Sequence, residues 1–176
     1  VYCFCGDGCL MEGISYEALS LAGTLNLNNL VLIYDRNKIT IEGSTDLTFE
    51  ENIELRFKAV GFDILTVKEG NSVEHIVKAL KVAKKSNKPM LVIVETAIGY
   101  GSKYAGDCTI HGKPLTDEEL AKLKEDFGVL NKPFEFSKEV KEFCANKQQE
   151  RVVKIEEKQK LLQEYKSAFP KKYIKN

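Results

Sequence analysis

"GDGCLMEG", residues 6–13, follows directly on the apolar run "VYCFC" at 1–5. An apolar run, two glycines around a carboxylate, and then Glu12 at the start of a helix-forming stretch read as strand, tight turn, helix. Glycine-rich turns of this kind commonly cradle phosphates, yet Asp7 puts a negative charge where an anion would sit. The spacing matches neither common phosphate loop. No GxxxxGK[ST] occurs, and G-x-G-x-x-x-x-G departs from the dinucleotide fingerprint. Taken alone, the glycines fit a turn that needs an awkward backbone, with Asp7 as a helix cap.

The rest of the chain sets this turn in a repeating pattern. "LVLIY" (30–34), "FDILTV" (62–67) and "MLVIVETAI" (90–98) are further apolar runs, and with "VYCFC" they make four strands of the kind covered on both faces. Amphipathic stretches separate them: Ser15 to Leu25, Glu50 to Val60, and Ser72 to Lys85. In the last, Val73, Ile76, Val77, Leu80 and Ala83 recur at helical spacing, Asn71 or Ser72 serves as cap, and "SNKP" ends the helix. Alternating strands and helices predict an α/β fold: a mostly parallel sheet with helices on both faces. Ligands bind such sheets beyond the carboxyl ends of the strands. There "GDG", "DRNKI" and "IGYGS" place three polar loops on one rim.

The second loop resolves the charge at the first. Asn37 lies thirty residues after Asp7, inside "YDRNKITIEG" at the end of the neighbouring strand. A carboxylate and an amide at adjacent strand ends offer two hard oxygen ligands, and a nearby main-chain carbonyl adds a third. Mg²⁺ takes roughly six such oxygens and draws the remainder from substrate phosphates and water. With a metal bridging carboxylate and diphosphate, Asp7 is no obstacle to an anion.

Composition excludes other classes. Basic and acidic residues balance at 26 each, so no global field recruits nucleic acid or an acidic membrane. The apolar runs are too short to span a bilayer, and no secretory signal is present. Cys3, Cys5, Cys9, Cys108 and Cys144 are odd in number and without paired CxxC spacing, which fits reduced thiols in the cytoplasm. The chain opens on Val1 inside a strand, as a piece of something longer would. Residues 99–115 form a glycine-rich loop, and Thr116 with Glu119 makes a capping box for a helix over 115–128. Beyond "NKPFEF", the charged stretch from Ser137 to Ala168 carries a helical stripe of Val152, Ile155, Leu162, Tyr165 and Phe169. Its Lys and Glu residues form a solvated face.

"GDGCLMEGISYEALSLAG" followed by "LVLIYDRNKITIEG" closely resembles the thiamine-diphosphate motif of transketolases, and the similarity continues through "TAIGYGS", "HGKPL" and "EYKSAFP". The resemblance implies a thiamine-diphosphate-binding fold over 1–135 and a helical extension over 136–176 leading to the next domain. It implies transfer of a two-carbon ketol unit between sugar phosphates in the pentose phosphate pathway, with thiamine diphosphate and Mg²⁺ (or Ca²⁺) as cofactors. Asp7 and Asn37 match the family's side-chain metal ligands, and Ile39 the residue giving its carbonyl. Gly6 and Gly8 match positions flanking the diphosphate, and Ile41 one beside the thiazolium, with Ile98 on the opposite rim. Glu12 matches an acidic position linking two active sites across a homodimer; Glu17 fits that role and an exposed helical glutamate equally. His111 matches the catalytic histidine that reaches the diphosphate and the sugar's C1 hydroxyl, whereas His75 has no motif context. The start of the domain, the pyrimidine-binding domain that makes the dimer, its catalytic glutamate and the C-terminal domain are expected outside these residues.

Three positions depart from the family pattern. Arg36 stands where a second acid is frequent, Lys113 where a small residue is common, and Tyr104 in place of a frequent histidine. A dihydroxyacetone synthase or deoxyxylulose-phosphate synthase shares the GDG…N spacing, and a non-catalytic binding paralogue is the alternative of another class.

Overall fold

The computed structural model describes residues 1–129 and 132–173. They fall into two compact units, Val1–Gly128 and Val129–Asn176, the last three residues of which lie outside the described set. In the first, β1 (Tyr2–Gly6) leads into α1 (Asp7–Met11) and α2 (Gly13–Thr24), then β2 (Val31–Arg36). A short hairpin, β3 (Ile39–Thr40) with β4 (Gly43–Ser44), precedes α3 (Ile53–Ala59), β5 (Asp63–Val67), α4 (Val73–Ala83), β6 (Met90–Glu95) and α5 (Asp117–Asp126). The four long strands make one parallel sheet in the order β1-β2-β6-β5.

Two apolar layers flank the sheet, because alternate residues of a strand point to opposite faces. Leu32, Tyr34, Leu91 and Ile93 meet Leu10, Leu19, Ala22, Ile53 and Phe57 from α1, α2 and α3. Val31, Ile33, Val92 and Val94 meet Ala79 and Ala83 of α4 on the other face. Leu91, Val92 and Ile93 have no exposed surface, as the expected continuous runs require. Ser72, not Asn71, caps α4, accepting a hydrogen bond from the His75 N–H at 3.4 Å. Asn52 likewise caps α3 through the Leu55 N–H, so that helix starts three residues later than its apolar pattern suggests.

Among the described residues, one face of "VYCFC" is left uncovered. Tyr2 and Phe4 are 53% and 75% exposed. Their register partners are Val31 and Ile33, on the α4 side, but α4 packs against β5 and β6 and leaves the edge strand bare. Cys5, on the other side, packs against the first core layer, and its burial there pushes the thiol up to about 12. The expected strand to Ile98 ends at Glu95.

In the second unit, α6 (Lys138–Ala168) is one 31-residue helix followed by the short α7 (Pro170–Tyr173). Ser137 caps it through the Val140 N–H at 3.4 Å. The stripe Val152, Ile155, Leu162, Tyr165 and Phe169 lies at 38–54% exposure. Among the described residues no helix is long and apolar enough to cross a membrane.

Candidate functional site

At the carboxyl end of β1 the chain turns at once into α1, and Asp7 is the first residue of that helix. It does not cap it. Gly6 occupies the cap position and no side chain bonds the helix end. The Asp7 carboxylate, 4% exposed, reaches across to the end of β2 instead. Its Oδ2 accepts the Asn37 N–H at 3.2 Å and the Lys38 N–H at 2.9 Å, and its Oδ1 accepts the Tyr34 hydroxyl at 2.5 Å. A buried charge needs this many donors, since each replaces water that the site excludes. Lys38 adopts a left-handed φ of 62°, which turns two successive N–H groups toward one oxygen. Its carbonyl accepts the N–H of buried Thr45, closing the loop from the far side.

Asn37 Oδ1 accepts the Ile39 N–H at 2.9 Å, an Asx-type turn that carries the chain into β3. Asp7, Asn37 and Ile39 therefore belong to one hydrogen-bonded cluster at adjacent strand ends. A Cβ built on Gly6 or Gly8 would meet nothing within 4 Å, so space lies open beside both backbones. Among the described residues no group of three or more His, Cys, Asp and Glu converges on a metal site. The hard donors here are a carboxylate, an amide oxygen and main-chain carbonyls, a set that suits Mg²⁺ or Ca²⁺ and disfavours thiophilic ions.

Tyr34 was legible only as a core residue of "LVLIY". Its ring is buried to 2%, and burial first, then the bond to Asp7, push the phenol far above its ordinary range. A cavity of about 590 Å³ opens beside Asp7, with Tyr34, Arg36 and Lys38 on one wall and Glu50 to Glu54 on another. Behind it Arg56 is ion-paired with Glu51 and lies 3.3 Å above the Tyr16 ring, its Nη1 buried without a hydrogen-bond partner. Arg36, the departure from the family pattern, is half-buried and points no donor at Asp7 among the bonds described.

The other expected residues lie apart from this cluster. Glu12 is exposed at an extended break between α1 and α2, which no periodicity announced, and Glu17 is exposed on α2. Ile41 sits at the tip of the β3–β4 hairpin, 70% exposed. Ile98 is half-buried, and its carbonyl accepts the Gly106 N–H at 2.8 Å. His111 follows a 3-10 turn at Cys108–Ile110 that Asp107 caps, and is half-buried. Its loop is fastened to α5. Glu119 accepts from the Tyr104 hydroxyl at 3.0 Å and from Lys103 at 2.6 Å, besides completing the capping box with Thr116. The Tyr100 ring stacks on Phe127, with centroids 6.1 Å apart. Lys113 is exposed on the rim of a small cavity between this loop and Glu119. His75 pairs with Glu69 at 3.3 Å on the exposed start of α4.

The family model described as transketolase, thiamine diphosphate binding domain, matches residues 1–175. Transketolase 1 of Saccharomyces cerevisiae is 44% identical over 173 residues, covering 96% of this chain and 25% of that protein. Transketolase of Halalkalibacterium halodurans is 39% identical over 171 residues, 96% of this chain and 26% of its own length. The chain thus spans about a quarter of the curated relatives it matches. Among solved structures, transketolase from Leishmania mexicana aligns with a TM-score of 0.86 at 40% identity, over 96% of this chain and 26% of that one. With the family model running from β1 through α7 and a solved relative following the same path, this chain belongs to the transketolase thiamine-diphosphate-binding domain family.

Proposed function

We propose that this chain is the diphosphate-holding part of a transketolase, an enzyme moving a two-carbon ketol unit from a ketose phosphate to an aldose phosphate. The observation that carries the reading is the cluster of Asp7, Asn37 and Ile39 at the ends of β1 and β2. Asp7 and Asn37 would supply side-chain oxygens to Mg²⁺ or Ca²⁺, and Ile39 its carbonyl. A cation held there would offset the charge of the diphosphate. Gly6 and Gly8 leave their backbone faces clear for the diphosphate, as the open space beside them allows. Ile41 would supply an apolar contact to the thiazolium, with Ile98 on the opposite rim.

Thiamine diphosphate, when bound, supplies the electron sink that ketol transfer requires. The chain's own residues orient it and handle the substrate. His111 would donate a hydrogen bond to the substrate's C1 hydroxyl and to the diphosphate. Glu12, at the exposed break between α1 and α2, and Glu17, exposed on α2, would link two sites across a homodimer. Sugar phosphates as substrates draw support from the Pichia stipitis transketolase, 39% identical, whose structure is a complex with sedoheptulose-7-phosphate. The reading places residues 1–135 in the diphosphate-binding domain and 136–176 in an extension toward the next one. It places the enzyme in the cytoplasm and in the pentose phosphate pathway.

Calorimetric titration of the full-length protein with thiamine diphosphate, with and without Mg²⁺, is the direct test. Binding that needs the metal, and production of sedoheptulose 7-phosphate from xylulose 5-phosphate and ribose 5-phosphate, are the expected results. Metal-independent binding would reject the metal assignment, and ketol transfer by residues 1–176 alone would reject the need for the pyrimidine-binding domain.

A further inference from the structure

We propose that Tyr34 is a positioning residue for the metal, locking the Asp7 carboxylate in the one orientation that suits Mg²⁺. The proposal rests on the reading of Asp7 as a metal ligand. Asp7 is tied through both oxygens, and the two ties differ in kind. Oδ2 is held by main-chain N–H groups of Asn37 and Lys38, which come from a turn. A carboxylate bonded through one oxygen still swings about its last torsion, which is broad and roughly two-fold.

The Tyr34 hydroxyl removes that freedom by holding Oδ1 at 2.5 Å. Its own position is set from below. Tyr34 is the fourth residue of β2, in register with Cys5 on one side and Ile93 on the other, and its ring lies in the core layer with Leu10 and Ile93. A close-packed interior has no slack for the ring to shift. The hydroxyl thus transmits the rigidity of the sheet to a carboxylate at the start of α1.

Mg²⁺ demands near-ideal octahedral geometry, whereas Ca²⁺ accepts variable number and angle. Loosening the carboxylate therefore penalises Mg²⁺ more than Ca²⁺. Tyr34→Phe keeps the ring and deletes the tether. Hydrogen-bond partners of metal ligands are commonly worth 10–100-fold in metal affinity. In the full-length protein, Tyr34→Phe should weaken Mg²⁺-supported binding of thiamine diphosphate by about 10–100-fold. The loss with Ca²⁺ should be clearly smaller, so the preference for Mg²⁺ falls.

Calorimetric titration with thiamine diphosphate in MgCl₂ and in CaCl₂ reads this, without reference to turnover. Phe57→Leu, a core change in the same layer, controls for general loosening. An equal loss with both metals, no loss, or the same change of preference in Phe57→Leu would overturn the proposal. Asp7→Ala separates the two levels. If it abolishes metal-dependent binding while Tyr34→Phe changes nothing, the role of Tyr34 falls and the site stands. If Asp7→Ala binds normally, both fall. Should Tyr34→Phe fail to fold, 3-fluorotyrosine placed at position 34 serves instead. Its fluorine resonance should move when Mg²⁺ is added to the protein with thiamine diphosphate, and a resonance that stays still would count against the proposal.

Discussion

The two halves of the candidate site are built in opposite ways. Asp7 is 4% exposed, and its three hydrogen bonds come from β2 and the turn that leaves it. His111 is half-buried in a stretch between Glu95 and Asp117 whose only regular structure is a 3-10 turn. That stretch keeps its shape through side chains, with Lys103 and Tyr104 on Glu119 and Tyr100 on Phe127. A group that must hold a multiply charged ligand gains from a rigid, dry seat. On the proposed reading, a group that meets sugars of different lengths gains from a loop held by side chains alone.

The division predicts separable failures. His111→Ala should lower turnover by about 10²–10⁴, since hydrogen-bonding and proton-transfer roles have that range, while cofactor affinity falls far less than in Asp7→Ala. Steady-state kinetics beside calorimetry reads both. Asp7→Ala should do the reverse. Removing one partner from a buried charged cluster costs about 3–5 kcal/mol, a hundredfold or more in affinity. Retention of Mg²⁺ and thiamine diphosphate through gel filtration should be lost. Matching phenotypes in the two variants would dissolve the distinction.

A smaller effect probes the loop's anchor. Gly101 has φ of 84°, and a Cβ there would run into the Phe127 ring. Gly101→Ala should cost about 1–3 kcal/mol in denaturant unfolding, the usual range for forced left-handed backbone, and should lower turnover more than affinity. The smallest effect is a pH dependence. Lys103 first, then the Thr116 N–H and Tyr104, hold the Glu119 carboxyl down to about 2. A depressed carboxyl contributes stability above its unfolded value near 4.5, and the contribution fades as pH falls toward 2. Loop protection against proteolysis should therefore exceed that of Glu119→Gln at neutral pH, and the gap should close over that acidic range. A constant gap would place the anchor in the stacked rings.

Much of the fold was readable because β2 and β6 are buried on both sides, and such strands must be apolar throughout. β1 has the same composition and a bare face, since apolar letters do not say which helix lies above them. The helix break at Glu12 and the two-residue strands β3 and β4 are too short for any period to register. Within the site, Asp7, Asn37 and His111 stood out by motif. Tyr34 did not, because the bond that gives it a role spans 27 residues and its ring satisfies the apolar pattern. Glu119 was visible as half of a capping box, and its second task depends on Tyr104, fifteen residues away.

The strand order has a consequence for how the chain comes into being. β6 is the last strand of the sheet to be synthesised, yet it lies between β2 and β5 and pairs with both. Until Met90–Glu95 has emerged, β5 has no neighbour, and the β1–β2 pair lacks the strand that buries its inner edge. Asp7 and Tyr34 can meet as soon as β2 has followed β1, but the seat beneath them sets only when β6 slots in. A nascent chain halted before Met90 should accordingly remain protease-sensitive throughout, and one halted well past Glu95 should become resistant in a single step.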